Sequence, residues 1–583
     1  MRSLLAVTIL LAGVASSVPA QNNWVYYGQD QGASKFSTLA QINADNVSTL
    51  TRAWTFHTGN PAGFFESTPL VIDGVMYLSA GNAFFALDAI TGTQLWKYAA
   101  NQTTRRGVSY WPGDARTPAR IVATAGDQLV ALDAKTGVPV PGFGTGGFVE
   151  MGSDAPSPPA VYKDLLITAG GKPVIRAWNA RTGALVWTFN LIAQPGDPGH
   201  ETWENDAWKT IGGTNVWGYL SIDAERGIVY APNSIAGSDY VGVTRPGNNL
   251  YGTSLVAIDA NSGKLKWFQQ FVHHDIWDND LGAAPTLFDV VKDGKRIPAV
   301  AEITKMGLLF MFDRTNGTPI HGIEERPVPQ SDVPGEKTSP TQPFPIKPAP
   351  LARNSMKKSD LPTGITPEHT AYCQNLWDTY KLQDSGPYTP WGFNRDVVVH
   401  PGAVGGGNWN GVTYNAPLDL IITNVMNAGQ WGHVEASGTS FRKVTPVGGR
   451  FWEPRTRYSC VNPPWGELVA VKASTGDIAW RVPLGIFEEL EARGIKTGTP
   501  SLGGAISTAG NLVFIGATID SRFRAFDART GKELWVDKIE APAHSIPSTF
   551  MGKDGKQYVV VSAGGGGFLG SPRSDVVIAY RLK

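Results

Sequence analysis

The hydrophobic positions of this chain fall in short runs, and the same polar signal closes one run after another. A few apolar residues lead to an Asp or a polar neighbour, then to Thr/Ser-Gly, and a Trp follows five residues after the Thr or Ser. The segments ALDAITGTQLW, AWNARTGALVW, AIDANSGKLKW, AVKASTGDIAW and AFDARTGKELW place these tryptophans at Trp96, Trp187, Trp267, Trp480 and Trp535. Two further segments keep the turn and lose the Trp, ending at Gly137 and Gly317, and AWTFHTG around Trp54 reads as an end piece. From Gly92 to Gly531 the turn glycines step by 45, 46, 80, 54, 159 and 55 residues. A step of about 45–55 residues is the period of a four-stranded propeller blade. The polar signal predicts a tight turn between outer strands, in which glycine takes positive φ without steric cost. Each Trp is expected to bury its ring between neighbouring units, because one such unit cannot cover both of its faces alone.

The longer steps need insertions. The 80-residue step carries one, and the 159-residue step has room for a further unit and a long loop, expected at Pro-rich Arg326 to Leu361. Val576 to Leu582 is expected to complete a unit begun near the N-terminus. The fold class is thus all-β, a propeller with tryptophan-docking repeats, its best count eight blades with seven as the alternative.

Composition narrows the function. Gly 67 and Pro 41 call for many turns and exclude a helical bundle. With 50 Lys+Arg against 50 Asp+Glu the net charge is zero, which argues against a nucleic-acid binder. Residues 1–20 read as a cleaved export signal: Arg2, an apolar core from Leu4 to Val14, and Val18-Pro19-Ala20. The remainder, 21–583, is expected to be one exported, periplasmic domain without a membrane span. Two cysteines, Cys373 and Cys460, are candidates for a disulfide in an oxidising compartment, and no C-x-x-C-H haem motif occurs.

Candidate chemistry lies between the repeats. His273-His274-Asp275-Ile276-Trp277-Asp278-Asn279-Asp280 is dense in ionisable groups. A carboxylate there could serve as a general base, a metal ligand or both, whereas adjacent histidines are poorly spaced for zinc. Lys305 stands at the entry to the apolar strand Leu308–Phe312, as a surface residue or as a cation fixed in a site. Arg106 could hold a carboxylate. Trp217 is as well suited to a core as to a cofactor platform. Gly405-Gly406-Gly407 lets backbone approach a ligand next to Asn408 and Trp409.

RGVSYWPGD, HHDIWDND, TKMG, GGNWNG and the run TPSLGGAISTAGNLVFIGATIDSRFRAFDARTGKELW with GKQYVVVSAGGGG resemble, in order and spacing, the pyrroloquinoline quinone (PQQ)-dependent dehydrogenases of the eight-bladed propeller family. The C-terminal run is most similar to membrane-type glucose dehydrogenases and their soluble relatives. The resemblance implies Asp275 as catalytic base and metal neighbour, and Lys305 as the cation on the reactive quinone oxygens. It further implies Arg106 on a cofactor carboxylate, Trp217 stacked on the cofactor's face, and Asn408 and Trp409 beside its rings. Asp278 is the alternative base. The adjacent-cysteine ring of the family's alcohol dehydrogenases is missing, which suits the glucose-dehydrogenase-like branch.

The metal, expected to be calcium, is where the chain departs from the family. The position of the family's Glu ligand falls near Lys172 and that of its Asn ligand near Ile235, with Asn233 as the substitute. One reading has Lys172 partly replacing the metal's charge. The function implied is oxidation of an alcohol or sugar hydroxyl, with electrons passed to an external acceptor such as a cytochrome c or a quinone. A non-catalytic propeller scaffold for protein binding is the alternative. Gly199 to Trp203 and the Pro-rich loop are candidates for shaping the entrance.

Overall fold

The computed structural model describes residues 22–61 and 64–583. The expected export signal lies outside the described residues. The chain is all-β, and Pro367–Thr379 and the single turn Glu488–Glu491 are the α-helices among the described residues. Antiparallel sheets of three to five strands recur along it. Leu70–Ile72, Val75–Ala80, Ala83–Asp88 and Gln94–Ala99 form one, and Ser221–Asp223, Ile228–Pro232, Ser254–Asp259 and Leu265–Gln270 form another. In each the first strands are almost wholly buried, whereas the last buries its Trp between more exposed neighbours. That is the pattern of a strand with one face packed and one in water.

The repeated signal acts locally and between sheets. Asp88 Oδ1 accepts from the Thr91 backbone N–H at 2.9 Å, and Gly92 N–H donates to the Asp88 carbonyl at 2.9 Å, closing the turn with Gly92 at φ 72°. The Trp of one repeat then meets the turn of the next. Trp96 Nε1 donates to the Ala134 carbonyl at 3.0 Å, Trp187 Nε1 to Ala260 at 3.0 Å and Trp480 Nε1 to Ala528 at 3.1 Å. A Cβ on Gly137, Gly263 or Gly531 would lie 2.7 Å from the same indole rings, so glycine is required for contact as well as for φ. Where a repeat lacks its Trp, the following turn has another neighbour: Gly183 faces Val149, and Gly476 faces Lys347 and His321.

The chain ends are laced together. Leu50–His57 pairs antiparallel with the C-terminal strand Arg573–Leu582, as the sequence suggests, and Phe36–Ser37 adds in parallel to Ile506–Thr508. The loop expected over 326–361 is partly ordered as a ladder, Ile323–Pro327 against Thr341–Pro345. Cys373, on the helix Pro367–Thr379, is bonded to Cys460. This closes a long insertion over a buried cluster that includes Trp377, Trp431 and Trp465.

Candidate active site

A cavity of about 430 Å³ gathers residues that are far apart in the chain: Arg105, Arg106, Trp217, Tyr240, Asp278, Asp280, Lys305, Asn408, Trp409, Arg450 and Phe568 are in its wall. The carboxylates arrive on the segment after strand Leu265–Gln270. Its backbone enters the left-handed region at His274 (φ 45°) and Asp278 (φ 61°), which Asp and His tolerate better than most residues. The three aspartates are thereby sorted.

Asp275 points into its own loop. It accepts from Trp277 N–H at 2.9 Å, Asn279 N–H at 3.1 Å and Thr253 Oγ1 at 2.8 Å. Burial pushes its carboxyl up to about 6, against the pull of the Trp277 amide and the Thr253 hydroxyl. Its carbonyl accepts from the buried Arg245. Asp275 organises the loop and is not in the cavity wall.

Asp278 and Asp280 are in the wall, and Lys305 joins them. Its Nζ donates to Asp278 Oδ1 at 2.9 Å, to the Asp278 carbonyl at 2.8 Å and to Asp280 Oδ2 at 3.0 Å. Tyr240 Oη donates to Asp278 Oδ2 at 3.0 Å. Trp217 Nε1 donates to Asp280 Oδ2 at 3.1 Å, and the Ile235 amide to Oδ1 at 2.9 Å. The electrostatics split the pair. Burial raises the Asp278 carboxyl well above the ordinary carboxylate range, and the neighbouring Asp280 charge adds to this while Lys305 opposes it. Burial also works against Asp280, but Lys305 and the Ile235 amide outweigh it and hold that carboxyl low. Burial disfavours charge on Lys305, yet Asp280 and Asp278 keep the ammonium protonated.

Lys305 is fixed by its surroundings. Gly406 N–H donates to its carbonyl at 2.6 Å, and a Cβ on Gly405 would fall 2.7 Å from Lys305 Cγ. The triple glycine therefore lets backbone close on the lysine stem, where sequence alone suggested a ligand. Trp217 lies on Gly282, whose Cβ would be 2.2 Å from the indole. Arg106 stands 5.2 Å from the Trp217 ring centre and 4.9 Å from that of Trp409. Its Nε pairs with Glu66 at 3.0 Å. Asn408 is spent on its own turn, donating to the Val404 carbonyl and accepting from Trp409 N–H at 2.7 Å.

Of the residues singled out from sequence, Lys305, Arg106, Trp217, Asn408, Trp409 and the alternative base Asp278 meet at the cavity. Asn233 is buried, bonded through Nδ2 to the Tyr251 carbonyl at 2.6 Å, and is not in the cavity wall. Lys172 is exposed beside Gly152 and is not in the cavity wall. Ile235 contributes a backbone N–H to Asp280 where an oxygen ligand was sought. Glu66, Tyr240, Asp280 and Arg450 were not assigned roles from sequence. Asp280 had a signal in its two-residue offset from Asp278, whereas the others come from remote segments with no local mark.

A family match to "PQQ: Glucose/ethanol/alcohol dehydrogenase, beta-propeller domain" spans residues 24–559. This chain belongs to that family. It is 32% identical to the quinate/shikimate dehydrogenase (quinone) of Acinetobacter baylyi, over 97% of this chain and 79% of the relative. It is likewise 32% identical to the quinoprotein glucose dehydrogenase of Escherichia coli, over 97% and 80%. The crystal structure of quinohemoprotein alcohol dehydrogenase from Comamonas testosteroni superposes with a TM-score of 0.72 at 24% identity, covering 96% of this chain and 80% of that one, which bears on the fold. The chain is therefore a PQQ-dependent dehydrogenase of the alcohol and sugar class, with the β-propeller fold of the family.

The wall suits PQQ, a planar anion. It offers indole surfaces, cations, and a buried Trp409 Nε1 that has no hydrogen-bond partner. A metal is less well served. A hard divalent ion takes six to eight oxygens. Here two of the three wall carboxylates, Asp278 and Asp280, already share Lys305 and the third, Glu66, is paired with Arg106, and no cluster of three His, Cys, Asp or Glu poised for a metal exists among the described residues. No helix among them is long and apolar enough to cross a membrane.

Proposed function

We propose that this chain is an exported, periplasmic quinoprotein that oxidises a hydroxyl to a carbonyl with Asp278, rather than Asp275, as the base. The observation that carries this reading is the Asp278–Lys305–Asp280 ion triad in the cavity wall. Bound PQQ supplies the oxidant, an ortho-quinone able to accept a hydride. Asp278 takes the proton from the substrate hydroxyl, its Oδ2 oriented by Tyr240 and its Oδ1 by Lys305. Lys305 is a fixed cation for charge developing on oxygen at the site, and Asp280 holds it in place. Trp217 offers a flat face, Arg106 a deep cation, and Asn408 shapes the turn that presents Trp409. Asp275 acts on the loop alone.

Electrons leave to an external acceptor, a cytochrome c or a quinone. The Cys373–Cys460 bond suits an oxidising compartment. Eight sheets carry the repeated plan, and we read them as eight blades, joined by Trp-to-turn contacts where the repeat keeps its Trp. Calcium is the metal that the family resemblance implies, but Asp278 and Asp280 are already taken up by Lys305 and do not make a site for it. No step is assigned to it.

The test is reconstitution of the mature chain with PQQ, with and without calcium, followed by dye reduction across alcohols and sugars. Activity lost in Asp278→Asn and kept in Asp275→Asn supports the assignment, and the reverse pattern returns the role to Asp275. Failure to bind PQQ would favour the scaffold.

A further inference from the structure

The strand Ser440–Val444 carries a charge on its inner face. Side chains alternate along a strand, so Phe441 and Lys443 share one face and Arg442 takes the other. Arg442 is exposed and paired with Glu435. Phe441 packs on a buried apolar cluster that includes Trp391, and Tyr240 packs on the same cluster. Lys443 therefore stands where the pattern calls for an apolar residue. Its Nζ is buried and has no hydrogen-bond partner among the described residues.

Two rings take the place of an anion. Lys443 Nζ lies 3.8 Å from the ring centre of Tyr240 and 3.7 Å from that of Trp391, and the two rings meet edge to face. The negative face of an aromatic ring attracts a cation at this range. Burial weakens the hold of Lys443 on its proton and Arg450 adds to this, whereas Asp278 and Asp239 oppose it. A methionine would fill the same space with no charge to desolvate, so what the lysine adds is its charge.

That charge is linked to the cavity. Tyr240 is in the cavity wall, whereas Lys443 and Trp391 are behind it. The Tyr240 ring lies against Lys443, and its hydroxyl donates to Asp278 Oδ2 at 3.0 Å. A cation on the ring draws electron density from the phenol oxygen, which makes the hydroxyl a stronger donor. In a low dielectric such linked polar contacts reinforce one another. The same contact fixes the ring, and with it the direction from which Asp278 is held.

We propose that Lys443 is a positioning residue of the dehydrogenase reaction, acting through the Tyr240 ring to hold the Tyr240 hydroxyl on Asp278. The inference rests on the reading of Asp278 as the base.

The experiment uses the PQQ-reconstituted mature chain as wild type, Lys443→Met, Lys443→Arg, Tyr240→Phe and the double variant Lys443→Met with Tyr240→Phe. Reduction of bound PQQ is followed by absorbance in single turnover, over a range of concentrations of whichever of glucose, glycerol and quinate wild type oxidises fastest. PQQ affinity is measured by quenching of tryptophan fluorescence. Lys443→Met should lower the maximal rate by about tenfold and leave substrate and PQQ affinities within about twofold. Tyr240→Phe should lower the rate by at least as much. Adding Lys443→Met to it should change the rate by less than about twofold, because the ring remains but the hydroxyl through which the lysine acts is gone. Lys443→Arg keeps the charge and stacks on rings, so it should stay within about threefold of wild type.

Three results would overturn the inference and leave the dehydrogenase reading intact. Lys443→Met at the wild-type rate would make the lysine a spacer. An equal loss from Lys443→Met with and without the Tyr240 hydroxyl would mean that it only packs the strand. Tyr240→Phe at the wild-type rate would overturn it even if Lys443→Met does not fold. Failure of wild type to bind PQQ, or Asp278→Asn at the wild-type rate, would sink the parent reading and this inference with it.

Discussion

The ammonium of Lys305 lies 2.9 Å from Oδ1 of Asp278, so the cation of the site and its proposed base are one ion pair. The same ammonium lies 3.0 Å from Asp280. Removing it in Lys305→Met leaves two carboxylates in the wall with no counter-charge. Turnover is expected to fall by about 10²–10³-fold, the usual loss on deleting a preorganised charge at a reacting centre. Steady-state dye reduction at saturating PQQ measures it, and a loss under threefold would show that Lys305 only neutralises the aspartates.

Asp278 and Asp275 should separate cleanly by substitution. Asp278→Asn removes the base and is expected to lower kcat by about 10²–10⁴-fold with little change in melting temperature. Asp275→Asn replaces a carboxylate that accepts from Trp277, Asn279 and Thr253. It should cost about 1–3 kcal/mol of stability by leaving donors poorly met, with a smaller effect on turnover. Thermal unfolding and dye reduction on the same samples decide between the two roles.

The pH profile follows from the same pair. A general base works in its ionised form, so kcat/KM should rise with pH through the Asp278 ionisation, well above the ordinary carboxylate range because the group is buried beside Asp280. Lys305 pulls that ionisation down and Asp280 pushes it up. Lys305→Met should therefore move the rising limb to higher pH. Asp280→Asn should move it to lower pH, provided Lys305 keeps its bond to Asp278. Limbs that stay fixed in both variants would mean that a different group titrates.

Much of this was legible in the sequence because it is local. The Asp-to-Gly turn and the Trp that follows it are written within ten residues, and the structure builds them as turns and inter-repeat contacts. Lys305, Arg106, Trp217 and Trp409 were legible through family motifs and do converge. The choice among Asp275, Asp278 and Asp280 was not, because it depends on the backbone reversal at Asp278 (φ 61°) and on Thr253 and Tyr240 from other segments. Lys172 and Asn233 were assigned by counting along strand ends, where a shift of one residue turns a side chain to the other face. Glu66 and Arg450 carry no local signal, since only the closed fold brings them to one cavity.

Gly282 provides the last prediction. It is the surface on which Trp217 rests, and a methyl group there would stand 2.2 Å from Cη2 of the indole and 2.6 Å from Cζ2. Such overlap cannot be relieved at a flexible tip, because Trp217 is held by its Nε1 bond to Asp280 and its carbonyl is held by Arg106 and Ser157. Gly282→Ala should therefore displace the ring, at a cost of about 1–3 kcal/mol for overpacking. If Trp217 is the cofactor platform, PQQ affinity should drop by about tenfold or more as stacking is lost. Asp280 should lose one donor as well, so turnover by the loaded enzyme should fall too. Fluorescence titration with PQQ, set beside thermal unfolding, separates the two effects. A destabilised variant that binds PQQ as wild type does would show that Trp217 packs the wall without carrying the cofactor.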